Sequence, residues 1–527
     1  MIRIPDLLRK YAAASPDRRA LHFEGRDFTW SQTNDRVHRM ASVLHGFGVG
    51  PGDRVAFLGW NSHWLVETYL SPSVIGAIPV PLNHRLGFPE LVELIADCTP
   101  KILIVDRHMA ETGARLMAAC PALDRLIFAD WEGAHPALPP GTQCYDALIA
   151  AEPPVAEDRF DHLASCDGDT LILYYTSGTT GVPKGVMLSH LNLFANAAGT
   201  GPLYEFSSDD VLLLSGPLFH LGTGSRVFTA LVFGAGMVVQ PRFRVDETMQ
   251  LIQDCRVSTV TLVPTMLRMI LDHPEFDRFD FSSIRCFTYG AAPMPVRLME
   301  RAIEKVPGVT FCQGYGMTEA SPVLSVLTWK DHVPGSRFFD KLGSVGRPIH
   351  YGDLRIVDAD GRQLPVGEVG EIIIRGPQVM TGYWNRPDET ARAIRNGFYH
   401  TGDAGYLDED GYLFLAGRTK EMIISGGENV YPIETENCLS RHPAVAQCAV
   451  FGLPDELWGE RVHAAVALHE GAEADAAELI AWCRSQIADF KSPRSIDIFR
   501  EPLPLSPTNK IDKTLLRARA LALKEEA

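Results

Sequence analysis

The segment Leu171-Ile-Leu-Tyr-Tyr-Thr-Ser-Gly-Thr-Thr-Gly-Val-Pro-Lys-Gly-Val186 opens as an apolar strand, passes through a loop of four hydroxyls, and closes on Lys184 and Gly185. Thr176, Ser177, Thr179 and Thr180 supply the hydroxyls, with Gly178 and Gly181 between them. Such a loop suits phosphate, because glycines let backbone N–H groups approach closely while hydroxyls and an ammonium add donors. It is not a Walker A loop, which needs Gly-Lys-Ser/Thr at the start of a helix. Here Lys184 leads into Gly-Val-Met-Leu, which reads as a second strand. A glycine-rich hairpin that holds no ligand is the competing reading.

Outward from that segment the chain alternates between two periodicities. Val37, Met40, Ala41, Leu44 and Phe47 recur at helical spacing from Ser31, and Gly48, Gly50, Pro51 and Gly52 stop the helix. Strands are expected at 54–58, 77–81 and 101–105, with a helix at 89–97 between the last two. This is α/β logic. Around 134–154 the pattern dissolves into Pro136, Pro139, Pro140, Gly141, Pro153 and Pro154, which suggests a surface crossing. A second α/β stretch runs to about residue 330, followed by a β-rich part with few helices and turns at Asp360-Gly361 and Glu409-Asp410-Gly411. Beyond Arg418 come a strand at 422–424, a helix from Pro432, strands at 445–451 and 462–468, a helix at 474–487 and a strand at 495–499. The expected fold class is therefore α/β: a large N-terminal domain of α/β subdomains plus a β-rich part, residues 1–419, and a small α+β domain, residues 420–527.

With 527 residues and 46% apolar content the chain can build at least two cores. Its 65 acidic and 49 basic side chains leave a formal charge of -16, which disfavours nucleic acid and anionic lipid as partners. Charges and a proline interrupt the first ten residues, and no run of 18 apolar residues occurs, so neither a signal peptide nor a membrane span is expected. A cytosolic location is the expectation. The ten cysteines form no C-x-x-C pair and read as buried thiols.

The loop Thr176–Lys184 resembles the phosphate loop of the AMP-forming acyl-CoA synthetases, which share a fold with peptide-synthetase adenylation domains and firefly luciferase. Further motifs follow in that family's order over nearly the whole chain. Gly314-Tyr-Gly-Met-Thr-Glu319 is similar to the loop around adenine and the triphosphate, which implies that Tyr315 stacks on adenine between Gly314, Gly316 and Met317. It also implies that Thr318 binds the α-phosphate and Glu319 helps hold magnesium. A carboxylate beside phosphates is tolerable through a hard cation with oxygen ligands. Without the resemblance, Thr318-Glu319 reads as a helix start. Gly290, Ala291 and Ala292 look like the second adenine-side loop.

Tyr399-His-Thr-Gly-Asp403 and Gly417-Arg-Thr-Lys420 resemble the ribose-binding pair, with Asp403 accepting from the hydroxyls and Arg418 donating. Lys420 falls at the family's interdomain hinge. Gly426 and Gly427 resemble the loop that approaches the pantetheine arm of coenzyme A, and Trp458 a tunnel position; Phe490 and Arg494 are weaker matches to the nucleotide end of coenzyme A. Lys510, in Pro504-Leu-Ser-Pro-Thr-Asn-Lys510, matches the catalytic lysine, although Asn509 stands where the family has glycine. Lys513 is its one nearby rival.

Pro217-Leu-Phe-His-Leu-Gly-Thr-Gly224 resembles one wall of the acyl pocket. Amino-acid-activating relatives carry an aspartate after the phenylalanine, and this chain has His220, so an ammonium would be buried without a partner. The resemblance implies an enzyme that activates an apolar acid, whether fatty, branched or aryl, as acyl-AMP with ATP and magnesium and then transfers it to coenzyme A. Gly222, Thr223 and Gly224 suit either an open tunnel or a tight turn. A ligase loading a carrier protein and a luciferase-like oxygenase share the nucleotide motifs. The oligomeric state is left open, a homodimer included.

Overall fold

The computed structural model describes residues 3–163, 166–176, 183–290, 294, 296–418, 421–425, 428–455, 457–505 and 511–525. Contacts divide the chain into two compact units, Met1–Asp353 with Ile374–Tyr399, and Leu354–Ile373 with His400–Ala527. The fold is mixed α/β, as the alternating periodicities lead one to expect.

The first unit is built on three sheets. One has nine strands, and its six central strands run parallel in the order Thr310–Gly316, Cys286–Gly290, Thr259–Leu262, Val211–Leu214, Gly236–Val239 and Arg19–Phe23. A second, of five parallel strands, contains Ile78–Leu82, Arg54–Leu58, Ile102–Asp106 and Arg125–Ala129. Ile102–Asp106 is buried at every position, which is why it reads as an unbroken apolar run rather than an alternating one. The third is antiparallel and joins Thr170–Thr176, Lys184–Ser189 and Gly382–Tyr383.

The nine-stranded sheet is chemically two-sided. Val260, Leu262, Phe287, Tyr289 and Phe311 enter one core cluster. Since neighbouring strands in register point their side chains the same way, Thr259, Cys286 and Thr310 form one row of the other face, Thr261, Thr288 and Cys312 the next, and Gly290 and Gly314 the last. That face therefore narrows to hydrogen atoms at the carboxyl ends of its strands, where open α/β sheets bind ligands.

In the second unit, Gly459–Leu468 pairs antiparallel with Val445–Asp455 and Ile423–Ser425 and parallel with Ser495–Phe499. Alternation again sorts the side chains. Val450, Val462, Ala464 and Val466 pack with Leu439 and Leu479 of two helices, whereas Ala449, Phe451, Ala465 and Ala467 pack with Leu503 and Leu516 on the opposite face.

Expected and observed elements differ in instructive places. The stretch 134–154 carries a short strand, Gln143–Cys144, and a helix, Tyr145–Ala151, whose Tyr145 and Ile149 are buried. With only two apolar anchors it has no visible period. Helix Lys513–Glu525 was not foreseen either, because its alternating Leu/Ala and Arg/Lys carries a weak stripe. The helix Trp30–Gly46 and the strands Arg54–Leu58 and Ser495–Phe499 lie where the patterns put them.

Candidate functional site

Thr176 and Lys184 face each other across the antiparallel pair Thr170–Thr176 and Lys184–Ser189, so the two ends of the hydroxyl-rich loop meet. Ser177, Gly178, Thr179, Thr180 and Gly181 lie outside the described residues. The Lys184 ammonium is paired with the Glu389 carboxylate and lies 5.2 Å from the centre of the Tyr383 ring. Beside them Tyr383, Arg386 and Thr390 line a cleft of about 580 Å³.

Tyr383 links this lysine to Glu319. Its phenol donates to Glu319 Oε1 at 2.9 Å. Burial, reinforced by the charge of Glu319, raises the phenol above its ordinary pKa, so it stays protonated and keeps donating. Thr318, Glu319 and Ala320 form a single 3-10 turn behind Met317, not the start of an α-helix. Two buried asparagines one turn apart on the helix His190–Thr200 hold the backbone around it. Asn196 Nδ2 donates to the carbonyls of Ala320 and Val323 at 3.1 and 2.8 Å, and Asn192 Nδ2 to those of Pro377 and Val379 at 2.8 Å each. Met380 N then donates to the Glu319 carbonyl at 2.8 Å. Every polar atom of the Asn192 amide is used, because its Oδ1 also accepts from Ser189 N at 2.8 Å.

Gly290 and Gly314 occupy adjacent strands, and a Cβ at Gly290 would stand 2.3 Å from the Gly314 carbonyl oxygen. Close backbone approach thus requires glycine at 290 whatever binds nearby. Gly316 is constrained in the same way by the Pro322 carbonyl. Tyr315 is half-buried. Ala291 and Ala292 lie outside the described residues. The preceding Tyr289 points into the opposite core, where its phenol donates at 2.8 Å to Nε2 of His332, which burial holds neutral with a pKa of about 4.

His220 caps the helix Leu221–Phe233 and is exposed. The small residues after it have different causes. A Cβ at Gly224 would fall 2.1 Å from the Tyr174 hydroxyl, so that glycine serves packing; at Gly222 nothing lies within 4 Å, so that one borders open space.

In the second unit Asp403 and Arg418 are cross-strand partners with Nε to Oδ1 at 2.9 Å. Arg418 is half exposed, so the pair adds little stability and can exchange partners. Trp458 lies 5.0 Å from the Arg494 guanidinium, which also pairs with Asp489; Phe490 packs on the domain core. Lys420, Gly426, Gly427 and Lys510 are outside the described residues, although Ser425 and Glu428 beside the two glycines are paired. The rival Lys513 is held by Glu421 at 3.1 Å and Glu436 at 2.9 Å.

Residues 8–384 match the family model described as AMP-binding enzyme, and residues 434–510 the one described as AMP-binding enzyme C-terminal domain. The chain belongs to the AMP-binding enzyme family. A feruloyl-CoA synthase of an Amycolatopsis species is 39% identical over 509 residues, covering 96% of this chain and 97% of that protein. An indoleacetate–CoA ligase of Aromatoleum aromaticum is 37% identical over 518 residues, covering 98% of each. Among solved structures, an o-succinylbenzoate CoA synthetase from Bacillus subtilis, in complex with its acyl-adenylate intermediate, superposes with a TM-score of 0.80 at 30% identity over 98% of both chains.

For this AMP-binding enzyme the sequence motifs missed three members of the Lys184 and Glu319 cluster: Tyr383, Arg386 and Glu389. They come from a short strand, Gly382–Tyr383, and from the start of a short helix, Pro387–Ala393, with Arg386 at its N-cap, some two hundred residues after Lys184. The available signal was Asp388-Glu389 behind Pro387 at a helix start, which announces a helix and says nothing of its partner. Among the described residues no three His, Cys, Asp or Glu side chains form a metal-binding cluster, and no helix is long and apolar enough to cross a membrane.

Proposed function

We propose that this chain is an AMP-forming acid–CoA ligase that acts on an apolar carboxylic acid, fatty, branched or aryl. It joins the acid to the α-phosphorus of ATP, releases pyrophosphate and passes the acyl group to the thiol of coenzyme A. The observation that carries this reading is the Lys184, Tyr383 and Glu319 cluster at the mouth of the hydroxyl-rich loop, within a chain matched along its length by ligases of this kind.

The chemical problem is to bring two anions together. Lys184 exchanges Glu389 for the β- and γ-phosphates, and the loop hydroxyls and amides bind the remaining oxygens. Thr318 donates to the α-phosphate. Glu319 fits a magnesium ion: among the described residues it belongs to no cluster of three His, Cys, Asp or Glu side chains, and magnesium is commonly held by one or two carboxylates plus phosphate oxygens. When bound, the ion neutralises charge on the triphosphate. Tyr383 holds the Glu319 carboxylate in one orientation. Lys510 neutralises the acid and the α-phosphate as they meet, Asp403 and Arg418 hold the ribose, and Gly290, Ala291, Ala292 and Tyr315 flank the adenine. For thioester formation, Gly426, Gly427 and Trp458 guide the pantetheine arm, and the backbone turns at Lys420, which sets the functional boundary between 1–419 and 420–527. The cytosol is the natural compartment, since all ten cysteines are free thiols.

Nucleotide chromatography after incubation with ATP, coenzyme A and a panel of acids should find AMP and pyrophosphate. ADP as the product overturns the proposal. Tyr383→Phe should raise the magnesium concentration for half-maximal pyrophosphate exchange by about tenfold, the usual cost of losing an outer hydrogen bond to a metal-binding carboxylate. An unchanged magnesium dependence would separate Tyr383 from the metal.

A further inference from the structure

Arg226 is 93% buried, with 7% of its surface exposed, and no carboxylate among the described residues pairs with it. Its Nε donates to Thr261 Oγ1 at 3.0 Å and one Nη2 hydrogen to Thr288 Oγ1 at 3.3 Å, which uses two of its five donor hydrogens. The guanidinium lies 4.9 Å from the centre of the Tyr204 ring and 5.5 Å from that of Phe206. Two hydroxyls and two aromatic faces offset the desolvation of a cation only in part. The other buried arginine among the described residues, Arg3, does meet acids: its guanidinium lies 3.6 Å from both Asp6 and Asp161.

A second buried polar group stands beside it. The Tyr204 hydroxyl faces the Arg226 guanidinium and finds no other hydrogen-bond partner among the described residues. It lies 2.7 Å from where a Cβ at Gly314 would be, against the first residue of the Gly314 to Glu319 loop. Arg226 and Tyr204 thus both lie on the sheet face that narrows to Thr261, Thr288, Gly290 and Gly314.

The helix that carries Arg226 supplies a way in. Gly222 is four residues earlier on Leu221–Phe233, hence on the same side, and helical side chains lean toward the preceding turn. A long side chain at 226 therefore leans toward the side of the helix that Gly222 leaves open to solvent. An apolar acid lying along that side of the helix would place its far end at a cation.

We propose that Arg226, with the Tyr204 hydroxyl, recognises a second oxygen acceptor on the acid substrate, remote from the carboxylate that is adenylated. The inference rests on the ligase reading above and names the substrate class: an alkyl or aryl acid with an acceptor at its distal end. That acceptor is a second carboxylate or a phenolic oxygen, and both offer the same charge-assisted hydrogen bond.

The test is pyrophosphate exchange with matched acids: 3-phenylpropanoate against its 4-hydroxy and 4-carboxy derivatives, and hexanoate against adipate. The intact enzyme should favour at least one substituted acid by about tenfold or more in kcat/KM, because a site built to hydrogen-bond its substrate rejects analogues that lack the partner. The hydroxy and carboxy arms separate the two acceptors. In Arg226→Met that ratio should fall below about threefold, and Arg226→Lys should retain part of it. A purely structural arginine would slow all acids together and leave the ratio unchanged, which overturns the inference. So does an intact enzyme that prefers unsubstituted acids, a result that needs no variant to fold. Exchange with none of these acids or with a wider carboxylic acid panel would instead remove the ligase reading, and this inference with it.

Discussion

Lys510→Ala should lower acid-dependent pyrophosphate exchange by about 10²–10³, the cost of removing one preorganised donor from the point where charge develops. Thioester formation from supplied acyl-adenylate and coenzyme A should continue, because the anhydride already carries the activation that the lysine promotes. Lys513 is the natural control. It sits three residues away in a chain whose ends around the lysine are drawn together by the Leu505 and Ile511 bridge and by Asp512 N donating to the Pro504 carbonyl at 2.8 Å. Its ammonium is already shared between Glu421 and Glu436, and those two charges raise its pKa despite the opposing effect of burial. Lys513→Ala should therefore lower the thermal midpoint and spare the exchange rate. A severe loss of exchange in Lys513→Ala with little in Lys510→Ala would reverse the two roles.

Much of the fold was legible because burial leaves a periodic trace. Val450, Val462, Ala464 and Val466 alternate with Ala449, Phe451 and Ala465 between two cores, and the 474–487 helix was recognised within two residues at its start and one at its end. The stretch 134–154 reads from sequence only as a surface crossing, since proline density hides a helix that buries only Tyr145 and Ile149. Boundaries slipped by a residue at Ile78–Leu82 and Ile102–Asp106 because both strands are apolar on either face, so nothing in the side chains marks where pairing begins.

The site was legible where chemistry is local. A run of hydroxyls and glycines ending in lysine announces a phosphate loop by its own donors, and Thr176 and Lys184 do meet across the hairpin. Partners supplied from far along the chain left no such trace. Glu389 lies on a helix that looks like any acidic helix start, and Tyr383 looks like a strand aromatic. Asn192 and Asn196 look like ordinary helix residues until their amides are seen to hold the segments on either side of Glu319. Glycine was the least informative residue type. Gly224 and Gly290 are small because of neighbouring protein atoms, while Gly222 borders open space, and their sequences do not distinguish these cases.

Glu319→Gln should lower exchange by about 10²–10³ at fixed magnesium, because an amide keeps the shape of the side chain and removes the charge that a hard cation requires. Added magnesium should restore little of this, in contrast to Tyr383→Phe, where the carboxylate remains and only its orientation is loosened. The two residues share a hydrogen bond, so their effects should not add. Once residue 319 carries no charge, Tyr383 has no carboxylate to orient toward the ion, and the double variant should exchange within about threefold of Glu319→Gln alone. The same assay run with varied magnesium separates orientation from ligation. If the losses of the two single variants instead multiply in the double variant, Tyr383 acts on the phosphates through the ring beneath Lys184, and its hydrogen bond to Glu319 only secures the fold.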